Sequence, residues 1–97
     1  MNKAELLKTV ARGIELCEQV LNSRDNAELL AFLRSEQLPK GPLELGFEVE
    51  RQTRIVGELA TAFLAQAEIT SGELYGRTLR DLRFGLQSLG RAIEAER

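Results

Sequence analysis

Hydrophobic positions recur along this chain with the period of a helix from one end to the other. Lys3, Leu7, Val10, Ile14, Cys17 and Leu21 are spaced 4-3-4-3-4, which gathers them on one helical face. Asn2 stands in the N-cap position before them. Asn22-Ser23-Arg24 then breaks the pattern with polar residues. Asp25, with Glu28 three positions on, has the spacing of a capping box in which Asp replaces the usual Ser or Thr. A shorter second helix carrying Leu29, Leu30, Phe32 and Leu33 follows. It is expected to end near Gln37, because the residue before Pro39 is driven out of the α region.

Pro39-Lys40-Gly41-Pro42 is the clearest punctuation. Gly41 suits an N-cap and Pro42 the first helical turn, where its missing N–H is not needed. In the third helix, Leu45, Val49, Gln52, Val56, Leu59, Phe63 and Gln66 trace one face. From Leu59 to Ala67 this helix is apolar almost all round, which predicts cover on more than one side. Thr70 and Glu73 repeat the capping-box spacing and favour a break there. A continuous helix would carry Gly72 at a cost of about 1 kcal/mol relative to alanine. The last segment has the cleanest seam: Tyr75, Leu79, Leu82, Leu86, Leu89 and Ile93, again 4-3-4-3-4.

These patterns predict a single all-α domain over 1–97, with helices at 3–22, 26–37, 42–69 and 71–95. The architecture is an antiparallel bundle of about four helices, or a helical hairpin that completes a bundle by dimerising. With 97 residues, only about 60–70% of the unfolded surface is removed on folding. That marginal core points toward self-association, and a homodimer is expected.

Composition removes several chemistries. The chain has no histidine and one cysteine. Ser-His-Asp and Cys-His nucleophile systems, His-bearing zinc sites, Glu-x-x-His dimetal centres and CxxC pairs are therefore excluded. The formal net charge of −2 supplies no global basic field for nucleic acid. Leu59 to Ala67, the longest nearly apolar stretch, falls far short of the ~20 residues a bilayer span needs. The N-terminal residues lack the apolar core of a signal peptide. Together with the lone thiol this predicts a cytoplasmic protein, with no cofactor.

The remaining candidates are weighed against structural roles. Glu15-x-x-Glu18 is a minimal Mg²⁺ pattern of the kind found in all-α nucleotide pyrophosphohydrolases. The second, Glu-x-x-Asp pair such enzymes need is missing, so both glutamates read as a solvated face. Cys17 lies on the first seam and reads as a small buried hydrophobe rather than a reactive thiol. Gln52 and Gln66, on the apolar face of the third helix, must find partners, either between helices or at a wet subunit boundary. Gly72 and Gly76, with Gly90 on a nearby stripe, and Gly13, Gly57 and Gly85 elsewhere, predict close helix–helix approach.

The arginines carry more information. Up to Glu50 the chain has six basic and nine acidic side chains, net −3; from Arg51 it has seven basic, all arginine, and six acidic, net +1. In the last helix Arg77, Arg80 and Arg91 lie opposite the seam, with Phe84 among them and Arg83 and Gln87 toward the edge. An aromatic ringed by guanidinium groups either packs against a second layer or anchors a partner, since aromatics and arginine are enriched at interface hot spots. The expectation is a non-enzymatic protein–protein interaction module: an adaptor, chaperone-like protein, inhibitor or regulatory subunit. Its partner would carry an acidic surface, and Arg77, Arg80, Phe84 and Arg91 would form the binding face. A nucleic-acid-associated regulator using the arginine-rich helix is the alternative, weakened by Asp81 and Glu73 in the same segment. No membrane association is expected.

Overall fold

The computed structural model describes residues 2–23, 25–35, 38, 45–67 and 72–96, the side chains of 72–75 excepted. They form four helices, α1 (Lys3–Ser23), α2 (Ala27–Arg34), α3 (Phe47–Ala67) and α4 (Gly72–Ala95). Asn2 caps α1 as expected. Its side-chain oxygen accepts the Glu5 N–H at 2.8 Å, and its carbonyl accepts the Leu6 N–H at 3.0 Å.

The buried face of α1 is not the expected seam. Leu6, Val10, Gly13, Leu16, Cys17 and Val20 point inward, while Leu7, Ile14 and Leu21 are half-buried and Lys3 is exposed. Two 4-3 stripes overlap on this helix and share Val10 and Cys17; packing selects the one that contains Gly13. Lys3 acts at the helix end instead. Its ammonium donates to the Glu96 carbonyl, and to the Glu94 carbonyl at 3.5 Å. A cation there suits the negative end of the α4 dipole.

Helix α2 is shorter than its pattern. It ends at Arg34, where the Ser35 hydroxyl donates to the Phe32 carbonyl at 2.7 Å and substitutes a side-chain bond for helical continuation. The capping box does not form at its start. Asp25 accepts the Ala27 N–H at 3.1 Å, but Asn26 holds the cap position and Glu28 reaches Arg12 of α1 at 3.3 Å.

Helix α3 starts at Phe47 and not at Pro42, because Leu45 and Gly46 are non-helical; Gly41 and Pro42 lie outside the described residues. Gly46 adopts φ 126°, a backbone conformation that disfavours any side chain, and its carbonyl accepts the Glu50 N–H at 3.1 Å. The Glu96 carboxylate occupies the space a Cβ on Gly46 would fill. The start of α1, the start of α3 and the end of α4 therefore meet at one end of the molecule, with α4 antiparallel to both. Helices α3 and α4 are separate, as the break near residue 70 predicts; Thr70 and the Glu73 side chain lie outside the described residues.

The four helices pack as an antiparallel bundle. Helix α4 runs against both α1 and α3, α2 bridges α1 and α3, and no Cα atoms of the diagonal pairs come within 8 Å among the described residues. The 24 residues of α4 span about 36 Å, most of the 40 Å long axis. Leu79, Leu82, Leu86, Leu89 and Ile93 are buried, as the last seam predicts; the Tyr75 side chain lies outside the described ones. On α3 the core positions are Val49, Thr53, Val56, Ala60 and Phe63, which leaves Gln52, Leu59 and Gln66 on a half-buried flank. Gln66 accepts the Thr78 hydroxyl of α4 at 2.7 Å, so this amide is satisfied between helices. One chain thus closes the core with all four of its helices.

The glycines divide. A Cβ on Gly13 would meet Leu86 at 3.1 Å and Phe32 at 3.3 Å, and one on Gly85 would meet Leu59 at 3.2 Å. Gly57 and Gly76 face open space, so close approach does not explain them. Gly57→Ala should therefore stabilise the protein by about 1 kcal/mol through helix propensity alone. Gly13→Ala should destabilise it by about 1 kcal/mol, because overpacking there outweighs the propensity gain. Urea unfolding of both variants checks this, and shifts in the same direction would contradict the packing.

Candidate docking surface on helix four

The stripe that α4 buries dictates what it exposes. Positions half a turn away carry Arg77, Arg80, Phe84 and Arg91, and all four side chains are exposed. Phe84 is 64% exposed, so it lies on the surface and is not covered by a second layer of this chain. Arg12 and Arg51 elsewhere pair with Glu15 at 2.8 Å and Glu48 at 2.7 Å. Arg77, Arg80 and Arg91, in contrast, form no ion pair among the described residues; Arg91 has only a 3.5 Å contact to the Ser88 hydroxyl. Phe84 and the three arginines thus lie together on one exposed stripe of α4.

Two grooves run beside it. Between α3 and α4 an open groove of about 340 Å³ is floored by Ile55, Leu59 and Gly85, with Phe84 as one wall and Gln52, Asp81 and Ser88 at the polar rim. Gly85 lets α3 approach and keeps this floor low. Gln52 is held by Glu48, whose carboxylate accepts its amide at 3.0 Å. The Arg51 hydrogen bond, and then that of Gln52, lower the Glu48 pKa from its ordinary value. On the other side of α4 a groove of about 370 Å³ is lined by Leu7, Ala11 and Ile14 of α1 facing Gln87, Gly90 and Arg91. Rotation of the α1 and α3 core faces is what leaves Leu7, Ile14, Ile55 and Leu59 half-buried here. Sequence reasoning missed their part in a surface, because each lies on or near a stripe that reads as core.

Phe47 was also not singled out. It is 79% exposed at the first turn of α3 and does not line either groove. Its place directly after Gly46, off the Val49–Phe63 face, is the available signal. Arg83 is half-buried on the α1 side of α4 and buries its Nε without a hydrogen-bond partner among the described residues.

Glu15 pairs with Arg12, Glu18 is exposed, and no group of three potential metal ligands converges among the described residues. No described helix is long and apolar enough to cross a membrane. No protein family, curated protein or solved structure matches the chain.

Cys17 is fully buried. Burial pushes its thiol from an ordinary 9.0 up to about 12, against a smaller lowering by the Arg83 charge, with Glu18 adding to the rise. The folded protein therefore keeps a proton that the unfolded chain releases near pH 9. Stability from this group is intact below that pH and is lost as pH rises toward 12, at about 1.4 kcal/mol per pH unit. Denaturant titrations of wild type and Cys17→Ala across roughly pH 8 to 10.5 should show a steeper alkaline loss in the wild type. Parallel curves would show that the thiol is not linked to folding.

Proposed function

We propose that this protein is a non-enzymatic interaction module that binds another protein across the outward face of α4. The observation that carries this reading is Phe84, a large aromatic 64% exposed among three arginines that form no ion pair among the described residues, and beside an apolar groove. A Phe fully buried on binding contributes roughly 1.5–3 kcal/mol, and arginine around it supplies orientation and specificity. Helix-in-groove docking suits a shallow channel between two antiparallel helices. Adaptor, chaperone-like, inhibitory and regulatory-subunit roles all use such a surface, in a cytoplasmic setting and without a cofactor.

The test is affinity purification of the tagged protein from its native host, read by mass spectrometry. Phe84→Ala and Arg80→Glu should each lose the specific partner, by about thirtyfold for Phe84→Ala. Both should retain folding stability within about 0.5 kcal/mol, as surface substitutions do. Lys8→Glu, at an exposed α1 position, should retain the partner. An unchanged set of partners in both α4 variants would overturn the reading.

A further inference from the structure

Phe84 and the groove beside it fit each other across two molecules. We infer that a second copy of this chain occupies the α3–α4 groove, through an antiparallel pairing of the two α4 helices about a two-fold axis between Phe84 and Gly85. This deepens the interaction reading above and rests on it: the outward face of α4 is the contact, and its first partner is the same chain. Each copy already closes its own core with four helices, so the contact joins two finished bundles. The dimer is then the form that presents Arg77, Arg80 and Arg91 to other proteins.

The α4 lining of the groove is Asp81, Phe84, Gly85 and Ser88. These positions are spaced 3-1-3, so a two-fold axis between Phe84 and Gly85 maps the set onto itself. A closed dimer needs that property, because the same patch serves on both sides. The residues set opposite one another are also complementary. The Phe84 ring, 64% exposed, meets Gly85, the one lining position without a side chain, and reaches Ile55 and Leu59 of α3 beyond it. Asp81 meets Ser88. The Ser88 hydroxyl accepts a 3.5 Å contact from Arg91 in its own chain and keeps its proton to donate to the Asp81 carboxylate, a charge-assisted bond. By symmetry each contact is made twice.

Charge is compatible with this register. Ala92 stands at the level of Arg77, Leu89 at that of Arg80 and Thr78 at that of Arg91, so no arginine of α4 faces another. Moving the axis onto Phe84 brings Arg77 opposite Arg91 and sets ring against ring instead of ring into groove; parallel pairing sets each arginine against itself. Like-charge juxtaposition disfavours both. The α1–α4 groove repeats the spacing with Gln87, Gly90, Arg91 and Glu94. There the side chain placed over the glycine is Arg91, whose burial on an apolar floor costs its hydration. Only on the α3 side is the projecting side chain one that gains by leaving water.

Sedimentation equilibrium of the purified full-length chain tests this with no other protein present. The expected mass is twice that of the chain. Phe84→Ala should raise the dimer Kd about hundredfold, since two rings are lost per dimer, and Lys8→Glu, exposed on α1, should leave it unchanged. The register is read by mixing ¹⁵N-labelled wild type with unlabelled Arg77→Cys that carries a nitroxide spin label; Cys17 is fully buried and does not take the label. Amides around Ala92 of the ¹⁵N-labelled copy should broaden most. A monomer at every concentration up to about 1 mM, or a dimer that Phe84→Ala leaves intact, would overturn the inference. So would broadening strongest elsewhere, as around Arg77 in a parallel pairing. A monomer that still captures a host protein through Phe84 defeats this inference and leaves the interaction reading standing, so the two fail separately. Circular dichroism and thermal melts confirm that each variant remains folded.

Discussion

The structure depends on the apolar stripe of α4. Leu79, Leu82, Leu86, Leu89 and Ile93 form a wall that both other long helices share, while no Cα atoms of α1 and α3 come within 8 Å of each other among the described residues. Each of these side chains contributes roughly 1.5–3 kcal/mol when fully buried, so loss of α4 leaves α1 and α3 bridged only by the short α2. Glycine on either side of the stripe brings the neighbours in: Gly85 lies against Leu59 and Val56, and Gly90 against Val10. Polar contacts then fix the register. Thr78 meets Gln66 near one end, and Lys3 holds the terminal carbonyls of α4 at the other.

A helix clasped on both sides has one face left over. In α4 that face carries Phe84 and three arginines, and the short α2 lies across the bundle on the opposite side, where it cannot cover them. The same packing rotates the core faces of α1 and α3 so that Leu7, Ile14, Ile55 and Leu59 border α4 from the outside. An apolar border beside an exposed aromatic is more than the scattered surface hydrophobics of an ordinary helix. Fold and candidate function are therefore joined in one element, its inner stripe organising the bundle and its outer stripe offering a surface.

Legibility varied with how unambiguous each pattern was. The α4 seam and the opposite Arg77–Phe84–Arg91 face were readable because one narrow stripe on a 3.6-residue helix leaves no choice of orientation. Helix α1 was harder: Leu6 and Leu7 begin two equally regular stripes, and only contact with Leu86 and Phe32 at Gly13 selects between them. Capping signals also divided. Asn2 caps as its position suggests, whereas Glu28 is drawn away from its expected role by Arg12 on a different helix. The Pro42 signal yielded to the Gly46 turn, where a positive φ and the Glu96 carboxylate set the start of α3.

The sequence by itself determined that the chain is helical, where α1 and α4 run, and which side of α4 is apolar, because those properties follow from residue spacing along a single helix. Only the tertiary structure decided that Phe84 is exposed, that its arginines have no carboxylate partner among the described residues, and that the flanks of α1 and α3 open into grooves beside it. Those properties depend on the rotation and distance of neighbouring helices, and both are set by contacts between residues far apart in the chain, such as Gly13 with Leu86 and Gly85 with Leu59.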